Sequence, residues 1–281
     1  MSSYSTMTSS RAINRRKTYE RVNKKIPTSW TGVALSALQY KLHIPQSMEE
    51  VMQSGELQVL QDAPSPDRHL VCLAPFPLAI GTSRAAFYAR DEIQSRPDSQ
   101  RIVICKEIYI EHEDNQHKRI HESYLQCHRD AVYLATMFNA QNPQNCPSIM
   151  FTEASLLQLP QYCLVMEELI KLPFELFNNH TGYVAACPTL PWQTDHRAIQ
   201  YFSHWTHQVT NGYLIIVGCR GGYDHTLNTF FLTTPIIHSK DIGSYGDCNT
   251  GTIGMEKFFR SHECNHYCRA LGLSVPCLPL T

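Results

Sequence analysis

Between residues 68 and 110 apolar and polar positions alternate in short runs, a period of two that predicts strands. HLVCLAPFPLAIG (69–81) is apolar and broken by prolines. RIVICKEIYI (101–110) sets Ile102, Ile104, Lys106 and Ile108 on one face and Val103, Cys105, Glu107 and Tyr109 on the other. Between them, GTSRAAFYARD (81–91) supplies a glycine turn and a further strand-like run. The period then changes. Across 117–140, Ile120, Tyr124, Cys127, Ala131, Leu134, Ala135 and Phe138 keep the three/four spacing of one helical face, and the two prolines of NPQNCP end it. PSIMF (147–151) and YCLVMEELI (162–170) read as strands. Residues 196–208 read as a second helix, with Ile199, Phe202 and Trp205 about a turn apart, and GYLIIVG (212–218) as a buried strand. A glycine-rich loop at 243–254 and a last helix carrying FFRSHECNHYC (258–268) complete the pattern. This order predicts an α+β protein in two lobes with a seam near 170. Residues 1–28 show no apolar periodicity. Arginine and lysine dominate there and Glu20 is the one acid, so they are expected to form a basic flexible arm before a domain spanning 29–281, with an N-lobe over 29–170 and a C-lobe over 171–281.

Composition narrows the function classes. The 281 residues are 43% hydrophobic and 17% charged, as in an ordinary globular protein. The net charge of −1 provides no whole-molecule field for nucleic acid or acidic lipid, so neither is expected as a partner. No apolar run reaches the roughly 18 residues a bilayer span needs, and the N-terminus lacks the apolar core of a secretory signal. Eleven cysteines, an odd number, then point to thiols and metal ligands in a reducing compartment. The expected location is cytoplasmic, with nuclear import as the alternative use of the basic arm.

His262-x-Cys264-x3-Cys268 offers three metal ligands within seven residues, and the two cysteines are spaced to share a helical face. A tetrahedral site needs a fourth. His238, at the end of the apolar run PIIHS, is one source; His266 and Cys277 compete with it. Four protein ligands would close the coordination sphere, which makes such a zinc structural and argues against a zinc-dependent hydrolase.

PIIHS followed by YGDCNTGTIGMEKFFRSHECNHYCRALGL closely resembles the C-terminal end of the alpha-kinases, the atypical protein kinases that include the myosin heavy chain kinases and the channel-kinases. Gly246, Asn249, Gly251 and Gly254 match the family's G-x-x-N-x-G-x-x-G loop, and Phe258, Phe259, His262, Cys264, Asn265, Cys268, Leu271 and Leu273 match the segment after that loop. The resemblance runs over about residues 70–275. It implies the two-lobed alpha-kinase fold, with a structural zinc on His238, His262, Cys264 and Cys268. It implies an ATP cleft in which Gly81 and Arg84 belong to the glycine-containing stretch, Lys106 meets the phosphates and Glu167 meets the adenine. FNNHTGYV (177–184) resembles the asparagine-rich segment before the second lobe. An unpaired charge on the isoleucine face of 102–108 would be costly, so Lys106 is expected to pair with Asp130 or Glu122.

The catalytic half departs from the family. Where the family has Asp-x-Gln-Gly, holding the catalytic aspartate and a metal-binding glutamine, this chain has Gly218 and Arg220. Thr234 stands where Leu-Thr-Asp-Pro has its aspartate, and Leu176 where the second-lobe lysine should be. Gly218 cannot accept a proton, Thr234 removes a carboxylate, and Arg220 puts a cation where Mg²⁺ needs oxygen ligands. The sequence therefore implies a pseudokinase with a partly retained nucleotide cleft, ATP as ligand, no intact Mg²⁺ site and a binding or scaffold role. Its alternative is an active serine/threonine protein kinase using a substitute carboxylate from Asp224, Asp241 or Asp247. Arg220 could also take over from the metal by holding ATP phosphates itself.

Overall fold

A computed structural model describes residues 21–30, 34–53, 59–60, 68–81, 84–92, 102–108, 116–141, 145–160, 162–186, 195–274 and 276. Residues 1–20 of the expected arm, and Cys277, lie outside them. The end of the arm is tied down rather than free: the Asn23 amide donates to Pro77 O at 2.8 Å, and the Tyr88 hydroxyl donates to Lys24 O at 3.1 Å.

In chain order the elements are β1 (Leu35–Lys41), α1 (Met48–Met52), β2 (Arg68–Leu73), β3 (Ala79–Ile80), β4 (Arg84–Asp91), β5 (Ile102–Ile108), α2 (Gln116–Gln141), β6 (Ser148–Phe151), β7 (Ala154–Gln158), β8 (Cys163–Glu168), β9 (Glu175–Leu176), α3 (Arg197–Val209), β10 (Leu214–Val217), β11 (Arg220–Asp224), β12 (Thr229–Leu232), β13 (Ile236–Ser239), α4 (Gly251–Ser261) and α5 (His266–Ala270). They divide into two compact units. The first takes the chain to Leu42, then Leu60–Glu122 and Glu153–Leu169; the second takes His43–Val59, Ser123–Thr152 and everything from Ile170. Residues 43–59 and 123–152 thus belong with the C-terminal unit, which a single cut near 170 does not provide. Among the described residues no helix is long and apolar enough to cross a membrane.

The first unit is one antiparallel sheet in the order β2-β1-β7-β8-β5-β4-β3, and an added β2–β4 pairing closes six of its strands into a ring. One face of the ring holds a core that includes Ala37, Val71, Ala89, Val103, Cys105, Leu157, Leu164 and Met166. This corrects the expectation for β5. Its core face is the Val103/Cys105 face, while Ile102, Ile104 and Lys106 are half-buried on the other.

In the second unit the Phe138 ring of α2 packs against Tyr201, Phe202 and Trp205 of α3 at 4.9, 5.1 and 5.4 Å. These contacts supply area burial and favourable ring geometry together. α3 is buried at every position from Ala198 to Thr206, including Gln200, Ser203, His204 and Thr206. Its polar side chains are matched: Asn178 Nδ2 donates to Gln200 Oε1 at 3.1 Å and to Ser203 Oγ at 2.9 Å, and the Ile216 amide donates to Thr206 Oγ1 at 3.0 Å. The strands form a four-stranded sheet, β6-β12-β11-β9, and a separate β10–β13 pair. The glycine-rich stretch GCRGG (218–222), whose composition resembles a turn, is partly strand. β11 begins at Arg220, and a Cβ on Gly221 would run into the Phe231 carbonyl across the ladder. The 243–254 loop is likewise shorter than expected, because α4 starts at Gly251, where φ is +64°.

Candidate functional site

The His/Cys stretch is not one helix. α4 ends with His262 as its C-cap, Cys264 lies in the connection, and α5 starts after Asn265, whose side chain accepts from the Tyr267 and Cys268 amides. Asn265 Nδ2 also donates to Arg197 O at 2.9 Å, which anchors this turn to the start of α3. From α3 comes the residue that sequence reasoning missed. His204, His262, Cys264 and Cys268 form a cluster whose ligand atoms all lie within 4.8 Å of one another. His204 Nδ1 is 3.1 Å from His262 Nε2 and 3.7 Å from Cys264 Sγ, and Cys268 Sγ is 3.6 Å from His262 Nε2. A tetrahedral zinc with ordinary bond lengths has N–N edges of about 3.3 Å and N–S edges of about 3.6 Å. The three separations are close to those edges, so the cluster is compatible with such an ion.

The surroundings suit the same use. His204 Nε2 lies 3.1 Å from Ser274 O, the outer hydrogen bond that leaves Nδ1 free to bind a metal. Burial pushes the His262 imidazole down to about 4, which keeps it neutral, and pushes the Cys268 thiol up to about 11. A cation would reverse the thiol's preference by taking the proton's place.

His238, expected as the fourth ligand, is not in the cluster. Its Nε2 donates to His180 O at 3.1 Å, and its Nδ1 accepts from the Thr250 amide at 3.2 Å, so both ring nitrogens are committed. It caps the start of α4. The ring approaches Gly254 so closely that any Cβ there would overlap it, which explains one glycine of the matched loop. Asn249 explains another part: Oδ1 accepts from the Ser239 and Gly251 amides, and Nδ2 donates to Asp241 O and Ser244 O. The competitor His266 is exposed, its ring 3.9 Å from that of Tyr267.

In the first unit the ladder registers place Arg84, Lys106 and Glu167 on one sheet face. Lys106 lies opposite Ala86 and Val165, Arg84 opposite Ile108, and Glu167 opposite Ile104. Gly81 closes the β3–β4 turn, its amide donating to Arg84 O at 2.8 Å. Lys106 Nζ donates to Glu167 Oε1 at 2.6 Å, with the two side chains 14% and 1% exposed. Neither expected partner fills that role. Asp130 accepts from Arg129 Nε at 2.8 Å and from the Tyr245 hydroxyl at 2.9 Å, and Glu122 faces Lys118 at 3.8 Å.

In the second unit Leu176 and Arg220 are direct cross-strand neighbours on β9 and β11. Gly218 has φ +67°, and a Cβ there would sit 3.1 Å from Ile236. The next amide, Cys219, donates to Asn178 Oδ1 at 3.0 Å, which ties this strand to the asparagine segment. Thr234 is buried, its Oγ1 3.1 Å from His128 Nδ1. The three aspartates considered as substitutes sit elsewhere. Asp224 Oδ1 accepts from the Thr226 and Leu227 amides in the β11–β12 turn. Asp241 accepts from the Gly243 amide and the Ser244 hydroxyl, and Asp247 is exposed.

A strand ring bearing a lysine–glutamate pair, joined in one chain to a helical unit with a His2Cys2 cluster, is the architecture of an atypical kinase domain. The alpha-kinase family model matches residues 79–268, and the chain belongs to that family. The alpha-protein kinase vwkA of Dictyostelium discoideum is 33% identical over 211 residues, 73% of this chain and 31% of that protein. The chain thus spans about a third of that relative's length. In fold, an alpha kinase from Entamoeba histolytica superposes with a TM-score of 0.66 at 20% identity, covering 92% of this chain and 95% of that one. The inactive, single-substitution alpha-kinase domain of myosin-II heavy chain kinase A complexed with ATP superposes with a TM-score of 0.61 at 18% identity, covering 89% of this chain and 100% of that one.

Proposed function

We propose that this chain is a nucleotide-binding alpha-kinase domain that has lost phosphoryl transfer and acts as a binding or scaffold module, with its C-terminal unit held by zinc on His204, His262, Cys264 and Cys268. The observation that carries the loss is the commitment of the available oxygens. Position 218 is a glycine and position 220 a guanidinium, while the Thr234 hydroxyl is engaged with His128. Asp224 is on the strand of Arg220 but four residues along it, about 13 Å at the usual strand rise, and its carboxylate caps a turn. Transfer from ATP depends on oxygens that hold Mg²⁺ and on a carboxylate that orients the hydroxyl. Removing a general base alone costs about 10²- to 10⁴-fold. Nucleotide binding is a separable property: an inactive form of the myosin-II heavy chain kinase A domain is complexed with ATP. Here Arg84, Lys106 and Glu167, with Gly81 at the adjoining turn, would serve the nucleotide. The zinc would be structural, because four protein ligands leave no open position.

The test is transfer from γ-labelled ATP, with Mg²⁺, to the chain itself and to a mixed serine/threonine peptide pool, beside an active alpha-kinase. Label no higher than in Lys106→Ala is expected. Label above that background would establish the competing reading, an active serine/threonine kinase. Elemental analysis of the purified chain should give one zinc per chain, and its absence would remove the metal from the proposal.

A further inference from the structure

The family resemblance sets Leu176 and Arg220 against the second-lobe lysine and the metal-binding glutamine, and the ladder makes the two residues direct neighbours. Residues opposite each other on a sheet have Cβ atoms about 5 Å apart. The cation absent from β9 is therefore present one rung across, on β11. Two other basic groups share its neighbourhood. The turn at 180–182 lies against α4, where a Cβ on Gly182 would come within 2.9 Å of Lys257 O. The same turn is fastened to the second unit by His180 O, which accepts from His238 Nε2, and by the Asn178–Cys219 bond beside Arg220. His180 is half-buried, and its imidazole is pushed down by burial, then by the charges of Arg220 and Lys257. The Cys219–Asn178 bond sets Arg220 next to the start of this segment, and the approach of Gly182 to Lys257 sets the lysine at its end.

We propose that Arg220, Lys257 and His180 form a phosphate-binding site that works without a divalent cation. The proposal rests on the loss of metal ligation argued above and gives that loss a function. A Mg²⁺ site uses carboxylates to hold a cation that in turn meets the phosphates. Here glycine and threonine replace the carboxylates and a guanidinium replaces the amide, so protein cations meet the anion directly. A guanidinium binds two phosphate oxygens in parallel, and the Lys257 ammonium adds a mobile point charge. His180 contributes an N–H donor even when neutral. The ligand class is a polyphosphate, free or as the tail of a nucleoside triphosphate.

Inorganic tripolyphosphate is the probe, titrated calorimetrically into the zinc-containing chain in magnesium-free buffer without chelator, so that the His/Cys cluster is left intact. Saturable binding is expected, weakening as salt is raised. Arg220→Gln should weaken it by about tenfold or more and Lys257→Gln by less. Arg220→Lys should recover part of the loss. The thermal midpoints of the variants report whether the fold is kept; Lys257 is exposed, so its variant tests the site even if Arg220→Gln unfolds. ATP binding more tightly than tripolyphosphate identifies the nucleotide as the source of the phosphate, and equal affinities identify polyphosphate alone. No binding without Mg²⁺, or affinities unchanged in both glutamine variants, overturns the site. If labelled phosphate is also not transferred, the loss of catalysis stands and only the anion site falls. If Mg²⁺ is required for binding and transfer occurs, both fall.

Discussion

The His/Cys cluster and the β10–β13 region belong to the same unit, yet they stand differently to the family pattern. At the cluster the four side chains proposed to hold zinc converge, together with Asn265, which shapes the turn between α4 and α5. Around β10–β13 the framework remains: Asn178 receives the Cys219 amide, His238 joins His180 to Thr250, and Asn249 knits β13 to α4. Under the proposed reading, the differences that matter for chemistry lie at Leu176, Gly218, Arg220 and Thr234. Residues that hold backbone to backbone affect folding wherever they sit. A catalytic carboxylate contributes nothing to folding and often opposes it, because burying its charge is costly. Fold and catalysis can therefore separate within one unit.

The largest effect expected is at the cluster, and it distinguishes two histidines. His204→Ala or Cys268→Ala should lower bound zinc below one per chain and unfold the C-terminal unit, since metal binding there is folding free energy, about 10–16 kcal/mol in zinc-finger peptides. His238→Ala should destabilise by only about 1–3 kcal/mol, through the unpaired Thr250 amide and a cavity beside Gly254, and should keep its zinc. Elemental analysis with thermal denaturation separates the two. Zinc retained in His204→Ala but lost in His238→Ala would return the fourth ligand to β13.

A smaller effect is expected in the first unit. Lys106→Met leaves the Glu167 carboxylate, 1% exposed, without its 2.6 Å partner. Breaking a buried pair from one side costs about 3–5 kcal/mol, and the 14% exposure of Lys106 places this case at or below the lower bound. Lys106→Met with Glu167→Gln together should recover much of that stability in urea while nucleotide affinity stays low. Affinity that returned with stability would mean that the pair serves the sheet and not a ligand.

Much of this was legible in the sequence wherever one face of an element is buried. The 117–140 pattern found α2, and Tyr124, Cys127, Ala131, Leu134, Ala135 and Phe138 are all buried. His204 was not legible because α3 is buried all round. It lies one residue, about 100° of helix rotation, from Trp205 on the Ile199/Phe202/Trp205 stripe, on a side that an amphipathic pattern assigns to water. His238 misled for the opposite reason: a histidine in an apolar strand looks like a ligand, but its two hydrogen bonds are to backbone, which leaves no trace in sequence. Glu167 was assigned to adenine and Lys106 to a helix carboxylate. Their pairing depends on the β5–β8 register, which residues 102–108 and 163–168 do not reveal by themselves. β1, β7, β11 and β12 were missed because their short runs lack clean alternation, and in β11 the glycines imitate a turn.

The smallest effect bears most directly on the separation of fold from catalysis. Gly218 has φ +67°, a left-handed conformation that costs an L-residue about 1–2 kcal/mol. Aspartate tolerates this region better than alanine does, because its short polar side chain can bond locally. Either side chain would also press its Cβ on Ile236 at 3.1 Å. Gly218→Ala is therefore expected to lower stability by about 2 kcal/mol and Gly218→Asp by about 1, measured as shifts in the urea midpoint at constant slope. Neither should transfer labelled phosphate. A carboxylate at 218 would still be two residues from the Arg220 guanidinium, with no carboxylate at 234, and Thr234 would still be bonded to His128. Transfer by Gly218→Asp alone would mean that one side chain separates this strand pair from a working site, and the remaining framework would have to be regarded as catalytic machinery kept intact rather than as fold kept for its own sake.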